Sequence, residues 1–444
     1  MRIAGRGWLM AVLAASALGA AAARVGAADA PLDVADVLRL AAGQSRPAVT
    51  AAADSVGAAA ATRRAEAAWY PSVGLEAQYI VRDNPVEVGV GALTFAQTPR
   101  RNGQYSLDAR ELVWDGGRRS LAVTAARRRE AAVRAAGSAD VQEAQLGALA
   151  SYLDALDLTG GAAVLQERLA ALRAHLGIAR DLLAHGIVAR NDVLATEVRV
   201  REVEDAAQAV ASRRAVAVRD LNRQLGRDPD EATTLPDSLP PPPPLPGDRD
   251  ALLAAATTDN AALRAAALRL AVDRTVADLA RRAGRPSLYV GASHAWQQND
   301  ILVHPRVNAL MAGVSWDIFD GGVRGADVRQ ADARVVAAAR DRLEVERGVA
   351  VAVDGAWSAF DQAGREERTA RANVAAAAEN LRIVEDQYRA GLARSGDVLD
   401  AEALLAASRS AVVSKHNATY RAQASLLAAA GRDLIAFYAG EQGR

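Results

Sequence analysis

The stretch Asp115-Gly116-Gly117 decides how the chain is organised, because it returns 205 residues later as Asp320-Gly321-Gly322. Three further matches keep the same offset: Gly186 with Gly391, Asp192-Val193-Leu194 with Asp397-Val398-Leu399, and Gly226-Arg227-Asp228 with Gly431-Arg432-Asp433. Upstream the offset changes, since Pro71-Ser72 and Pro286-Ser287 lie 215 residues apart. A duplicated unit accounts for these matches if the first copy carries extra residues between its proline and its glycine pair.

Each glycine pair is preceded by two segments in which apolar and polar residues alternate with the period of a β-strand. The apolar positions are Val73, Leu75, Ala77, Tyr79 and Val81, then Tyr105, Leu107 and Ala109, then Leu288, Val290, Ala292 and Trp296, and last Leu310, Ala312, Val314, Trp316 and Ile318. A soluble half-buried sheet and a membrane barrel both show this period. Tryptophans near the predicted strand ends, such as Trp114, Trp296 and Trp316, favour a membrane interface. Two membrane hairpins, 72–114 and 287–319, are therefore predicted.

The rest of each copy is predicted to be helical. Residues 118–184 contain no proline, and as one helix they would extend about 100 Å. Near the helix end, apolar residues keep a heptad spacing in both copies: Leu169, Leu172, Leu176, Ala179 and Leu183, and then Val374, Ala377, Leu381, Val384 and Tyr388. This spacing predicts a coiled-coil seam. Gly186 and Gly391 follow where a helix would end in a left-handed cap, and return helices to about 225 and 430 come next.

A proline-rich connector, 236–248, separates the two copies and contains five consecutive prolines at 240–244. Such a segment cannot be helical and is predicted to be extended. Single helices are predicted before the two hairpins, at about 33–67 and 249–284. Because each return helix is about half as long as the outgoing one, a second short helix would complete its path. The connector would then lie part-way along a helical shaft; an ordinary interdomain linker is the alternative.

Composition argues against several classes of function. The chain is 51% apolar but only 4% aromatic, and its formal net charge of zero does not favour nucleic-acid binding. It has no cysteine, and its five histidines, at 175, 185, 294, 304 and 416, show no metal-site spacing. Phosphate-binding loops and nucleophile motifs are not recognisable either. We therefore expect no enzyme, no metal site and no cofactor.

The first 28 residues are predicted to be a signal peptide. Arg2 and Arg6 precede an apolar run, 8–23, and small residues at 26–28 offer a cleavage site. A membrane anchor is the alternative, although the run is short for spanning a bilayer. An exported protein is therefore expected.

Together these features resemble the TolC-like outer-membrane efflux protein family, the outer membrane factors of tripartite export systems. The resemblance is carried by both Asp-Gly-Gly turns, by Gly186-Ile187-Val188 leading to Asp192-Val193-Leu194, and by Tyr388-Arg389-Ala390-Gly391-Leu392 leading to Asp397-Val398-Leu399-Asp400. It extends over essentially the whole chain after the predicted signal peptide.

This resemblance implies an α+β membrane protein that forms a homotrimer. Each protomer would give four strands to a shared trimeric β-barrel in outer-membrane lipid, and long helices to a periplasmic α-helical, coiled-coil barrel. The chain would comprise the signal peptide 1–28, a first efflux repeat 29–235, the connector 236–248, a second efflux repeat 249–436 and a C-terminal tail 437–444.

The function implied is that of a passive exit duct in the outer membrane for efflux or type I secretion. Its expected partners are a periplasmic adaptor, or membrane fusion protein, and an inner-membrane pump of the RND or ABC type. A periplasmic coiled-coil adaptor or scaffold protein is the alternative, with the sheet as a small soluble domain.

A regulated entrance at the periplasmic helix tips is also implied. Asp397 and Asp400 share a helical face, and threefold symmetry would stack them as two carboxylate rings around a cation-binding constriction. A solvated helical face is the alternative. Tyr388 and Asp192 match positions that help to close the entrance of the family's best-known member.

Ala393 stands where that member has a gate arginine, and Arg394 is the next residue. Arg394 is therefore included in the expected gate. A closing network that differs in detail is therefore expected. The residues expected to contact the adaptor lie at the two tips and are Gly186, Ile187, Val188, Gly391 and Leu392.

Overall fold

The computed structural model describes residues 31–440, so the predicted signal peptide lies outside the described residues. The chain divides into two compact units. One contains the described residues up to Ala51, then Gly137–Ala261, and the described residues from Glu346 onward; the other contains Ala52–Ala136 and Ala262–Val345.

Helices and strands recur in the order that the duplicated sequence predicts. In chain order they are α1 (Val34–Gln44), α2 (Arg46–Ala67), β1 (Ser72–Val81), β2 (Val86–Val90), β3 (Leu93–Thr98), β4 (Arg101–Trp114), α3 (Arg118–Ala184), α4 (Arg190–Gln224), α5 (Arg249–Asp259), α6 (Ala261–Arg282), β5 (Ser287–Gln297), β6 (Arg306–Ser315), α7 (Val323–Arg389), α8 (Ser395–Ala429) and α9 (Leu434–Tyr438). The outgoing helices α3 and α7 both have 67 residues, and the return helices α4 and α8 both have 35. The predicted long helices are therefore confirmed.

The single helices predicted at about 33–67 and 249–284 are wrong, because each is broken into two. The first break is at Ser45, whose extended backbone (ψ 152°) ends α1. Pro47 follows, and a proline there cannot continue α1, because its ring would clash with the carbonyl one turn earlier. The Ser45 hydroxyl instead accepts a hydrogen bond from the Ala48 N–H at 3.3 Å and so caps α2.

Both breaks lie against a glycine at the end of a return helix. A Cβ on Gly226 would lie 2.1 Å from the Gln44 carbonyl oxygen, and one on Gly431 would lie 2.6 Å from the backbone nitrogen of Asn260. Asn260, which separates α5 from α6, donates from its side-chain amide to the Ala429 carbonyl at 3.1 Å. These close approaches join distant parts of the chain, so the local sequence pattern does not reveal them.

The four predicted strands are confirmed as one antiparallel sheet in the order β1-β4-β5-β6. The extra residues of the first copy form an additional hairpin, β2–β3, which was not predicted. The predicted extension of the last strand through Trp316 and Ile318 is wrong, since β6 ends at Ser315. Ser315 pairs with Ser287. The residue before Ser287 is Pro286, which has no N–H to continue the hydrogen-bond ladder between the strands.

One face of this sheet leaves large apolar side chains uncovered in the protomer. Leu75 is 72% exposed and Leu310 is 89% exposed. The outer strands β1 and β6 each pair on one side only. A lone four-stranded sheet with an apolar face and two open edges needs a further covering.

The core of the other unit forms where α1, α3, α4 and α8 meet, and its largest fully buried side chains include Leu38, Leu149, Tyr152 and Leu153. Within the described residues α3 alone contains an 18-residue window apolar enough to cross a membrane, with mean hydropathy 1.2. Part of this helix, from Leu149 to Leu156, packs into that core. Length and composition thus identify a core segment here as readily as a membrane span.

The proline-rich connector is not helical, as predicted, and is bonded along α8. The His416 ring and the Tyr420 hydroxyl donate to the carbonyls of Leu239 and Pro240 at 3.1 and 2.8 Å. Gln423 bonds the Pro243 carbonyl at 2.5 Å. Proline carbonyls have no partner within their own segment, and the side chains of α8 supply one.

The short helix α9 was not predicted. It includes residues 437 and 438 of the expected tail, and Phe437 belongs to the core. Asp433 caps this helix by accepting from the Ile435 N–H at 2.8 Å.

Candidate functional site at the tips of the helical hairpins

Two helical hairpins carry the predicted site residues: the first helical hairpin is α3–α4 and the second helical hairpin is α7–α8. Their turns are built alike. Gly186 and Gly391 have φ values of 71° and 73°, and the residues after them, Ile187 and Leu392, donate to carbonyls five positions back at 2.9 and 2.8 Å. This is the Schellman motif, so the predicted left-handed caps are confirmed.

The residues that follow each glycine leave apolar side chains at the apex of the turn. Ile187 is 60% exposed and Leu392 is 82% exposed, whereas Val188 is half-buried. An exposed aliphatic side chain beside a rigid glycine turn offers a fixed apolar contact at each tip.

Asp397 and Asp400 both lie on the exposed side of the first turns of α8, while Val398 and Leu399 between them are buried. One Asp397 carboxylate oxygen accepts the Arg394 backbone N–H at 2.8 Å. Asp397 therefore caps the helix and fixes its first turn. The Arg394 side chain itself is exposed.

Tyr388 and Asp192 meet in a polar cluster inside the tips. Tyr388 is only 3% exposed, and its ring lies 4.9 Å from the ring of His175, centroid to centroid. Burial raises the pKa of the Tyr388 phenol, and the nearby Asp192 carboxylate raises it further. The second predicted gate residue, Asp192, is half-buried at the first turn of α4.

The cluster continues through hydroxyl groups that connect the two helical hairpins. Thr196 donates to the Asp192 carbonyl at 2.9 Å, and its oxygen lies 3.3 Å from the Ser395 hydroxyl. The hydroxyl proton of Thr196 is already donated to the Asp192 carbonyl, so in its contact with Thr196 the donor is Ser395. The hydroxyl oxygen of Ser395 then accepts the Nε2–H of His175 across 3.1 Å. Burial lowers the pKa of His175, although the Asp192 charge opposes this. The hydroxyls of Thr196 and Ser395 and the Nε2–H of His175 are thus paired, whereas the buried Tyr388 hydroxyl has no hydrogen-bond partner in the described residues.

A cavity of about 130 Å³ lies beside this cluster. It is lined by Ala171, Ala174, His175, Ile178, Glu385, Tyr388 and Arg389. Two of these residues, Glu385 and Arg389, form an ion pair at 3.2 Å. The buried ring of His175 therefore faces a charged pair across a small space.

A second buried group, Glu402, lies about two turns after Ser395 along α8 and is only 5% exposed. Burial raises the pKa of its carboxyl, and the like charge of Glu385 raises it further, while Arg168 and Arg409 oppose the shift. The Arg168 Nε atom is itself buried without a hydrogen-bond partner in the described residues. Ionisation of the Glu402 carboxyl group in the second helical hairpin is therefore disfavoured.

The first helical hairpin has ion pairs that join its two helices. Arg173 contacts Glu204 at 2.6 Å and Arg180 contacts Glu197 at 2.7 Å, each from α3 to α4. By the repeat offset, Arg180 corresponds to Glu385 and Glu197 corresponds to Glu402. A cross-helix salt bridge in one copy is thus replaced by two acids in the other.

Among the described residues, no group of three or more histidine, aspartate or glutamate side chains is arranged to hold a metal ion. The sequence reasoning missed His175, Thr196, Ser395 and Glu402. A signal for Glu402 was available, because it lies four residues after Val398 and three before Leu405 on the buried stripe of α8. A signal for His175 was its place next to Leu176 in the seam.

Long paired helical hairpins with a four-stranded sheet are the arrangement that the resemblance to outer membrane efflux proteins implies. A family model described as outer membrane efflux protein matches residues 252–432. The chain is 27% identical over 348 residues to outer membrane efflux protein BepC of Brucella suis, covering 75% of this chain and 73% of that protein. It is 32% identical over 175 residues to protein CyaE of Bordetella pertussis, covering 39% and 37% of the two chains.

The fold is also that of a solved outer membrane protein. The crystal structure of the outer membrane protein VceC of Vibrio cholerae superposes with a TM-score of 0.74 at 20% identity, covering 90% of this chain and 96% of that one. The second repeat of the chain therefore matches the outer membrane efflux protein family, and the chain has the fold that its resemblance to TolC-like proteins predicts.

Proposed function

We propose that this protein is a passive exit duct of the outer membrane, which receives its substrates from an inner-membrane pump and a periplasmic adaptor. The observation that carries this proposal is the sheet β1-β4-β5-β6, with its uncovered apolar face and its two open edges. A soluble scaffold would have to cover such a face, whereas a lipid bilayer covers it directly.

Closure of the sheet supports a homotrimer. Four strands are too few to close a barrel, and an open edge cannot lie in lipid. All neighbouring strands in the sheet are antiparallel, so β6 of one copy and β1 of the next would also meet antiparallel. Three copies would then form a continuous barrel of twelve strands, with α3, α4, α7 and α8 continuing it as a helical duct in the periplasm.

The entrance of this duct would lie at the tips of the helical hairpins. Threefold symmetry would arrange the exposed Asp397 and Asp400 as two rings of carboxylates. Tyr388 and Asp192 would act from behind these rings, through the buried cluster, to hold the tips in place, and Arg394 would contribute charge at the rim. The apolar tip side chains, Ile187 and Leu392, would contact the adaptor together with the turns at Gly186, Val188 and Gly391.

Planar-bilayer recording tests the proposal most directly. The protein extracted from outer membranes in detergent should migrate as a trimer and conduct ions, and a divalent or trivalent cation on the periplasmic side should block the current. The double substitution Asp397→Ala with Asp400→Ala should weaken that block. The double substitution Asp181→Ala with Asp205→Ala is the matched control, because it removes the same negative charge from the first helical hairpin.

Cell fractionation separates the duct from a periplasmic scaffold. The duct should sediment with the outer membrane and require detergent for release. A monomer released with the soluble periplasm, which conducts no ions after reconstitution, would contradict the proposed function.

A further inference from the structure

The apolar face of the sheet changes in character toward the loop ends of the strands. Along β5 the side chains on this face pass from Leu288, Val290 and Ala292 to His294 and Trp296. Along β6 they pass from Val314, Ala312 and Leu310 to Asn308 and Arg306. The register sets the change at one level, because His294 pairs with Asn308 and Trp296 pairs with Arg306.

Three strands share a bonded network at this level. The Tyr105 hydroxyl on β4 lies 3.4 Å from His294 Nε2, and His294 Nδ1 lies 2.7 Å from the Asn308 side-chain oxygen. The two contacts are satisfied together when Nδ1–H donates to Asn308 and Tyr105 donates to Nε2. Trp296 stacks on Tyr105 with the ring centroids 5.4 Å apart. The network therefore fixes Asn308 with its amide NH₂ turned away from the histidine.

Positive charge lies on the same face of the sheet as this network, next to it at Arg306 and further along β4 at Arg101. Arg306 is exposed next to Asn308, and Arg101, also exposed, lies on the same face of β4 beyond Tyr105. Within residues 31–440, neither guanidinium has a carboxylate within salt-bridge distance. Arginine and amide donors on a rigid sheet match the oxygens of a phosphate group.

We propose that this surface, formed by Arg101, Tyr105, His294, Trp296, Arg306 and Asn308, binds the phosphate groups of an anionic glycolipid in the outer leaflet. The inference rests on the proposed function, which places this face against lipid. An amphiphile fits better than a free anion, because Leu107, Leu310 and Ala312 continue the face on the other side of the aromatic rings and would contact its acyl chains. The strand ends away from the helices correspond to the outer leaflet in the proposed orientation.

Native mass spectrometry of the detergent-purified full-length protein tests the proposal, with diphosphorylated lipid A as the probe. The wild-type protein should retain this lipid. Removal of both phosphates from the lipid should reduce retention about tenfold, which corresponds to the loss of one charge-assisted hydrogen bond. Arg306→Gln should reduce retention of the phosphorylated form by a similar factor. Arg110→Gln is the matched control, because Arg110 lies over the Tyr289 ring, 4.0 Å from its centroid, on the opposite face of the same sheet.

Equal retention of the dephosphorylated lipid, or an unchanged Arg306→Gln variant, would overturn phosphate recognition and leave only an aromatic belt. Full competition by inorganic phosphate at millimolar concentration would also overturn the lipid assignment. Each preparation is first scored for trimer formation and ion conduction. A protein that passes both but fails to distinguish the two lipids contradicts this inference alone, whereas one that fails both contradicts the proposed function.

Discussion

The two helical hairpins have the same lengths and the same turns but are stabilised differently. The first helical hairpin supplies all but one of the buried residues in the core near the tips. Leu172, Leu176 and Ala179 of α3 and Val193, Val200 and Val203 of α4 form this core together with Leu399 of α8. The corresponding seam of the second helical hairpin is less covered, and Leu381, the counterpart of Leu176, is only half-buried.

The ion pairs near the tips also connect the two helices of the first helical hairpin more firmly than those of the second. Near the tip of the first helical hairpin, Arg173 and Arg180 reach across to α4. Near the tip of the second, Arg382 and Arg389 are paired with acids on their own helix, α7. The contacts that join α7 to α8 through Glu366 and Glu367 lie further from the turn. Pairs within one helix do not hold two helices together. The tip of the second helical hairpin is therefore held less firmly than the tip of the first, and we expect the movable part of the entrance to lie there.

The largest effect is expected when one apolar side chain of the helix–helix seam is shortened in each helical hairpin. Leu172→Ala removes a side chain that is fully buried and should lower the opening free energy of the first tip by about 3 kcal/mol. Leu381→Ala in the half-buried seam should cost about 1 kcal/mol. Hydrogen exchange of peptides from 165–205 and 370–410 measures both. Equal losses would mean that the second seam is as well covered as the first.

The contrast also shows how far sequence reasoning reaches. The 67-residue helices, the glycine caps and the four main strands follow from periodicity and from residues with special backbone preferences, which act locally. The breaks at Ser45 and Asn260 were missed. Pro47 is a local signal for the first, but both breaks also pack against a glycine more than 170 residues away in the chain. Packing of that kind has no local signature.

The connection between the two helical hairpins can be broken at one hydroxyl group. Ser395→Ala leaves the buried Nε2–H of His175 without its acceptor at 3.1 Å, which should cost about 1.5 kcal/mol. Protection from hydrogen exchange should fall in both tips, because Ser395 bonds His175 and Thr196 together. Ser212→Ala is the control, since that hydroxyl bonds only the Gln208 carbonyl of its own helix. A loss confined to the second tip would contradict the connection.

The same cluster predicts a response to acid. The folded state holds His175 neutral with a lowered pKa, while the opened tip binds a proton near the ordinary value of about 6.5. Stability should therefore be lost as the pH falls below about 6.5. In His175→Asn this part of the pH dependence should disappear, as followed by exchange rates corrected for intrinsic pH effects.

The residues of the candidate site were predicted from turns, from an acidic pair and, for Tyr388, Asp192 and Arg394, from the family resemblance. Asp397, Asp400 and Gly391 were found from such positions. His175 and Glu402 were not found, because a polar residue in a helical stripe can face solvent or core, and only the fold decides which. Their significance arises from neighbours on other helices, Ser395 and Glu385, that the sequence does not bring together.

The two equivalent acids should respond to neutralisation with opposite signs. Glu402→Gln removes a buried charge beside Glu385 and should stabilise the second tip at neutral pH, on the order of 1 kcal/mol. Glu197→Gln removes the partner of Arg180 and should destabilise the first tip slightly. Because the folded pKa of Glu402 is raised, its destabilising effect should grow as the pH rises above about 4.5 and should be absent in the glutamine variant. Two changes of the same sign would contradict the assigned pairings.

The smallest expected effect comes from rebuilding in the second copy the salt bridge that the first copy has. Glu385→Arg restores the arrangement of Arg180 and Glu197 and places a cation beside Glu402, at the loss of the exposed pair between Glu385 and Arg389. The net gain should be about 0.5 kcal/mol, typical of a partly exposed ion pair. Asp386→Arg, one position away on the exposed side of α7, is the matched control. If a stiffer second helical hairpin restricts the entrance, Glu385→Arg should also lower the single-channel current, and the control should not. An unchanged current together with a measurable gain in protection would mean that this helical hairpin does not limit the opening of the duct.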